Sequence, residues 1–64
     1  MIITSRSASA VQAELISAGI FMVDMGATGK ALTGYRFQFN HAGEVEQFVT
    51  LAQVKTWAKY NLPA

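Results

Sequence analysis

Hydrophobic and polar positions along this chain follow two periods, and glycines mark where one gives way to the other. Ala8, Val11, Leu15 and Ala18 recur at helical spacing, with Gln12 and Glu14 outside that stripe. Several serines between Ser5 and Ser9 can start this helix. The best local signal is Ser9 followed three residues on by Gln12, a capping box in which each side chain satisfies a free backbone N–H. Ser5 and Ser7 are alternative starts. Gly19 suits the left-handed conformation that ends a helix. Upstream, Ile2 and Ile3 give Met1–Ile3 the β-branched character of a short leading strand.

After Gly19 the residues Ile20–Met25 predict a strand, rich in β-branched and aromatic side chains. Phe21, Val23 and Met25 point one way; Ile20, Met22 and Asp24 point the other. Gly26 to Gly29 predicts a loop. A second strand is expected over Leu32–Phe39, with Tyr35, Phe37 and Phe39 on one face and Gly34, Arg36 and Gln38 on the other. Asn40-His41-Ala42-Gly43 predicts a turn, with glycine at the left-handed position of a three-residue hairpin. That register sets Phe39 opposite Val45, Phe37 opposite Gln47 and Tyr35 opposite Val49. Setting Phe39 opposite Glu44 instead would interrupt the apolar face.

The third strand is expected over about Glu44–Val49. Thr50 with Gln53 then forms a second capping box. Leu51, Val54, Trp57 and Ala58 make the apolar stripe of the closing helix, with Lys55 and Lys59 outside it. Asn61 suits a left-handed stop, Leu62 can fold back on Trp57, and Pro63 blocks continuation. The expected class is therefore α+β: a small single domain over residues 1–64, built as helix, three-stranded antiparallel meander and helix, with the short leading strand added. The helices should cover the face bearing Tyr35, Phe37, Phe39, Val45 and Val49. Arg36, Gln38, Glu44, Glu46 and Phe48 should lie on the other.

Composition adds a surplus. The chain is 52% hydrophobic and 14% charged, a fraction swollen by alanines. A domain this small buries only roughly 60% of the surface its unfolded chain exposes. Apolar side chains must then remain outside, and sizeable apolar patches mark interaction sites. Cysteine is absent, which removes disulfides and thiolate zinc ligands and suits a reducing cytoplasm. The apolar run Ile20–Val23 is far short of the ~20 residues that span a bilayer, and Met1–Arg6 lacks the pattern of a signal peptide. A net charge of +1 is neither the footprint of a typical nucleic-acid binder nor that of an acidic mimic.

Candidate chemistry is sparse. Asp24–Ala31 resembles a phosphate-binding loop through Gly29-Lys30, but Asp24 stands where the first glycine belongs and Ala31 where the magnesium-binding hydroxyl belongs. A flexible loop is the expectation there. His41 lies in the turn with no nucleophile or orienting carboxylate evident, and is expected to be solvated. Glu44 and Glu46 share a strand face, where cross-strand pairing accounts for them. No catalytic residue, metal ligand or cofactor is expected. Phe48 is the hardest side chain to place. Either a bulge, the leading segment or the first helix covers it, or it anchors an interface, where aromatics and arginine are enriched. Met22 and Ile20 extend the same patch, so Phe48, Arg36, Met22 and Ile20 are the expected interaction surface.

The order helix, three strands, helix resembles the double-stranded-RNA-binding domain. That family grips phosphates with a lysine cluster at the start of its second helix. This chain has Thr50-Leu51-Ala52-Gln53-Val54 there, with Lys55 alone nearby, so RNA binding does not carry over. Leu32–Tyr60 also resembles the sheet-reading DNA-binding domains of integrases and plant transcription factors, which present several arginines and a tryptophan on the exposed sheet face. Here that face is expected to offer Arg36 beside two glutamates, a poor match for a duplex. The leading expectation is a non-catalytic protein–protein interaction module, either a homodimer or a small subunit on a larger protein complex. A phage or mobile-element accessory protein inhibiting a host complex is one form of it. No membrane and no small-molecule substrate are expected. The alternative is a small nucleic-acid-binding regulator using Arg36, Lys30, Lys55 and Lys59.

Overall fold

The computed structural model describes residues 1–64. Its elements run α1 (Ala8–Ser17), β1 (Val23–Asp24), α2 (Gly26–Thr33), β2 (Phe37–His41), β3 (Glu44–Phe48) and α3 (Leu51–Asn61). The strands form one antiparallel sheet in the order β1-β2-β3. The α+β class and the meander stand as expected, with one helix more than the sequence suggested. Met1–Ile3 does not form the leading strand. Ile3 is buried in the core instead, and the Met1 amino group donates to the carbonyls of Ala58 (3.1 Å) and Leu62 (2.7 Å). A positive charge at the C-terminal end of a helix is favourable, and there it competes with strand pairing.

Ser7 caps α1, its hydroxyl accepting from the Ala10 N–H at 3.2 Å. The earlier start brings Ala8 against the core beside the buried Val11 and Leu15. It also leaves Gln12 out of any capping box. Its Oε1 accepts from the Met22 N–H at 2.6 Å, tying the helix to the chain that returns past Gly19. Gly19 has φ +79°, the left-handed stop expected of it.

The other end of the chain follows its local signals closely. Thr50 and Gln53 form the full capping box, and Val54 and Ala58 are buried. Asn61 does not take the left-handed stop. The helix runs through it, its Nδ2 donates to the Trp57 carbonyl at 2.9 Å, and the chain leaves extended at the buried Leu62.

The hairpin turn differs from the expectation by one residue. His41 pairs with Glu44, so only Ala42 and Gly43 form the loop, with φ +51° and +80°. Two successive left-handed residues define a type I′ turn, whose twist matches that of the flanking strands. The register becomes Phe37 opposite Phe48 and Phe39 opposite Glu46. Phe48 thereby joins the helix-covered face, where its ring stacks on Phe39 at 5.5 Å. Trp57 meets the Phe39 ring edge-on at 4.8 Å. Aromatic burial of this kind outweighs the strain of a left-handed alanine, about 1–2 kcal/mol. Glu46 is left half-buried on the covered side, and Val45 turns outward.

The segment between the hairpin and α1 departs furthest. The expected strand at 20–25 shrinks to Val23–Asp24, and the expected loop and first half of the next strand become α2. Ala27, Lys30, Ala31 and Leu32 are strong helix formers. Asp24 Oδ1 accepts from the Gly26 N–H at 2.8 Å and opens the turn; Gly34, at φ +86°, closes it by donating to the Lys30 carbonyl. No residue of α2 is buried, and Leu32 is 81% exposed.

Candidate functional site

The helices and the core lie on the side of the sheet that carries Phe37 and Phe39. The opposite side is bare. Val23, Gln38 and Gln47 form a row across all three strands, and Asn40 pairs with Val45 in the next. Gln47 Nε2 donates to Gln38 Oε1 at 3.2 Å, which ties the two amides together. Phe21, two residues before Val23, continues the same alternation. Phe21 is 70% exposed, Val45 55% and Val23 46%. None of these six side chains is charged, so the face combines three apolar groups with three neutral amides.

Two of the residues expected to build an interaction surface are in the core instead. Ile20 and Met22 are 2% and 4% exposed. The period-two alternation of 20–25 is real, but its phase is the reverse of the one assumed. The bond from the Met22 N–H to Gln12 sets the even-numbered residues toward α1 and sends Phe21 and Val23 outward. Phe48 is half-buried against the core, so of its two sequence readings the covered one holds, although a shifted register and not a bulge achieves it. Arg36 remains accessible but is engaged. Its Nε and Nη2 donate to Asp24 Oδ1 and Oδ2 at 2.8 and 3.0 Å, and its guanidinium lies 4.9 Å above the Phe37 ring centroid. The Arg36 side chain, aided by the Gly26 N–H, holds the Asp24 carboxyl below its ordinary value, and the carboxylate in turn raises Arg36. The four residues do not form a surface together. The side chains that do are Phe21 and Val23, the outward half of the 20–25 alternation, and Val45, which the one-residue shift of the hairpin turns outward.

The remaining chemistry-bearing residues are accounted for by local contacts. His41 meets the Trp57 ring edge-on at 5.0 Å and is not a freely solvated turn residue. The phosphate-loop resemblance gains a strand before it and a helix within it, yet the Gly26 N–H is already taken by Asp24. No group of three His, Cys, Asp or Glu side chains converges to hold a metal ion. No helix is long and apolar enough to cross a membrane. Fold and site together define a small α+β protein with helices on one side of its sheet and an uncharged, partly apolar face on the other. Compared with protein-family models, with curated proteins and with solved structures, the chain matches none.

Proposed function

We propose that the protein is a non-catalytic protein-binding module that pairs with a second copy of itself through the bare sheet face. The observation that carries this reading is the uncharged set Phe21, Val23, Gln38, Asn40, Val45 and Gln47. A two-fold axis sets a patch against its own copy, and residues near the axis meet their own kind, so like charges there would repel. Neutral amides carry a donor and an acceptor and are complementary to themselves. Edge-to-edge pairing is the less favourable route. β1 offers only two residues, and β3 carries Glu44 and Glu46 toward the covered side, two devices that blunt sheet edges. The six residues of the face include no lysine or arginine, and Arg36, two residues before Gln38, is engaged by Asp24 and the Phe37 ring, which speaks against a nucleic-acid platform.

Light scattering across a hundred-fold dilution from micromolar concentration tests the reading. The mass of the parent protein should fall from dimer toward monomer. Phe21→Asp and Val45→Asp should weaken association more than tenfold, because each buries a charge in an apolar contact. Both side chains are exposed in the single chain, so circular dichroism should be unchanged. A constant monomer mass for the parent overturns the proposal.

A further inference from the structure

Three of the five cationic side chains, Arg6, Lys30 and Arg36, line one cleft of ≈ 510 Å³. They come from the segment before α1, from α2 and from the residue before β2, so the fold gathers charges that are scattered in the sequence. No carboxylate lines the cleft. The only ion pair in the molecule is Arg36 with Asp24, and it occupies two of the five N–H groups of Arg36. Arg6 and Lys30 have no acidic partner. Counting Asp24 against Arg36, the cleft holds two uncompensated positive charges. Ala8, Ala27 and Leu51 place the first turns of α1, α2 and α3 at the same cleft, and the positive ends of those helices add to its potential. Ala8, Ala27, Val49 and Leu51 supply apolar lining, and Phe37, only 2% exposed, closes the floor beneath Arg36.

We infer that this cleft binds a phosphate monoester attached to a small apolar body. A monoester is close to a dianion at neutral pH, since its second pKa is about 6. It therefore balances the two free cations, where a carboxylate or a phosphodiester supplies only one charge. Arginine forks and a lysine point charge are the usual partners of such a group. The cleft volume falls within the ~300–1,000 Å³ of small-ligand sites. The site is distinct from the sheet face, as none of Phe21, Val23, Gln38, Asn40, Val45 and Gln47 lines it.

Amide chemical-shift titration of the full chain tests this. Phenyl phosphate is the probe, with inorganic phosphate, benzoate and a DNA duplex as comparisons. Phenyl phosphate should bind saturably at millimolar or lower concentration, shifting Ala8, Ala27 and Leu51. Inorganic phosphate should bind more weakly for want of the ring, and benzoate for want of the second charge. Arg6→Glu and Lys30→Glu should each weaken phenyl phosphate roughly tenfold or more, while Lys59→Glu, away from this cleft, should not. Arg6 lies outside every helix and strand, so its variant keeps the test sound even where Lys30→Glu loosens α2. A phosphotyrosine peptide with no other charged side chain distinguishes sources. Tighter binding than phenyl phosphate places the monoester on a protein, and equal binding places it on a small molecule. No saturable shift with phenyl phosphate, equal binding of benzoate or the duplex, or affinity unchanged in both cleft variants would overturn the inference.

Discussion

Helices α2 and α3 make an instructive pair. α3 has a side-chain cap at each half of its box and buries Val54 and Ala58. α2 has no side-chain cap at Met25, contains two glycines and buries nothing. Both are helical, but for different reasons. α3 is held by packing on β3 and by the aromatic cluster of Phe39, Phe48 and Trp57. α2 is held at its ends, by Asp24 at the start and the left-handed Gly34 at the finish. A helix of eight residues is marginal without tertiary support. The pair thus separates a helix made by its apolar face from one made by its boundaries, and the second kind is the harder to see in a sequence.

The widest gap between the two regions should appear on truncating their large apolar side chains. Trp57→Ala is expected to cost roughly 3–4 kcal/mol, near the lower end for a buried indole because Trp57 is only partly covered. Leu32→Ala in α2 should change stability by less than about 0.5 kcal/mol. Urea denaturation of the two variants checks this. A costly Leu32→Ala would mean that α2 is packed after all, and the contrast would fail.

A smaller effect probes the turn that fixes the register beneath α3. Gly43→Val should destabilise by roughly 1–2 kcal/mol through left-handed strain, in a place where an added Cβ meets nothing. Ala42→Asn should stabilise by about 0.5–1 kcal/mol, because asparagine tolerates the left-handed region and Asn-Gly suits a type I′ loop. Thermal melts resolve both signs. A destabilising Ala42→Asn would return the turn to a three-residue form and move Phe48 off the covered face.

The smallest effect is confined to α2. Arg36, then the Gly26 N–H, lower the Asp24 carboxyl below its ordinary value of 3.8. A depressed folded-state value means the contribution is present above the unfolded value and is lost as the pH falls through the folded one. Carbon chemical shifts should show α2 fraying on acidification below about pH 4 while the first turn of α3, capped by neutral groups, does not change. Asp24→Ala, which removes both the acceptor of the Gly26 N–H and the partner of Arg36, should fray α2 at neutral pH and remove most of the acid dependence. Equal responses in both helices would show that α2 owes nothing to this ion pair.

Local chemistry in the sequence determined the α+β class, the antiparallel order of the meander, the stop at Gly19, the left-handed Gly43 and the capping box at Thr50, since each depends on residues within a few positions of one another. It also showed the alternation of residues 20–25, whereas the loop it suggested at 26–29 lies within α2. Tertiary structure alone decided the rest. Which half of that alternation faces inward depends on the Met22 N–H donating to Gln12, ten residues away. Whether the hairpin closes with two loop residues or three depends on Phe48 finding Phe39 and Trp57. The cap at Ser7 over Ser9 depends on what Ala8 can bury. Each choice inverts or shifts a whole face for a small local cost, and only long-range packing is large enough to make it. The bare sheet face and the three-cation cleft are both consequences of those choices, which is why neither could be read from the chain before it was folded.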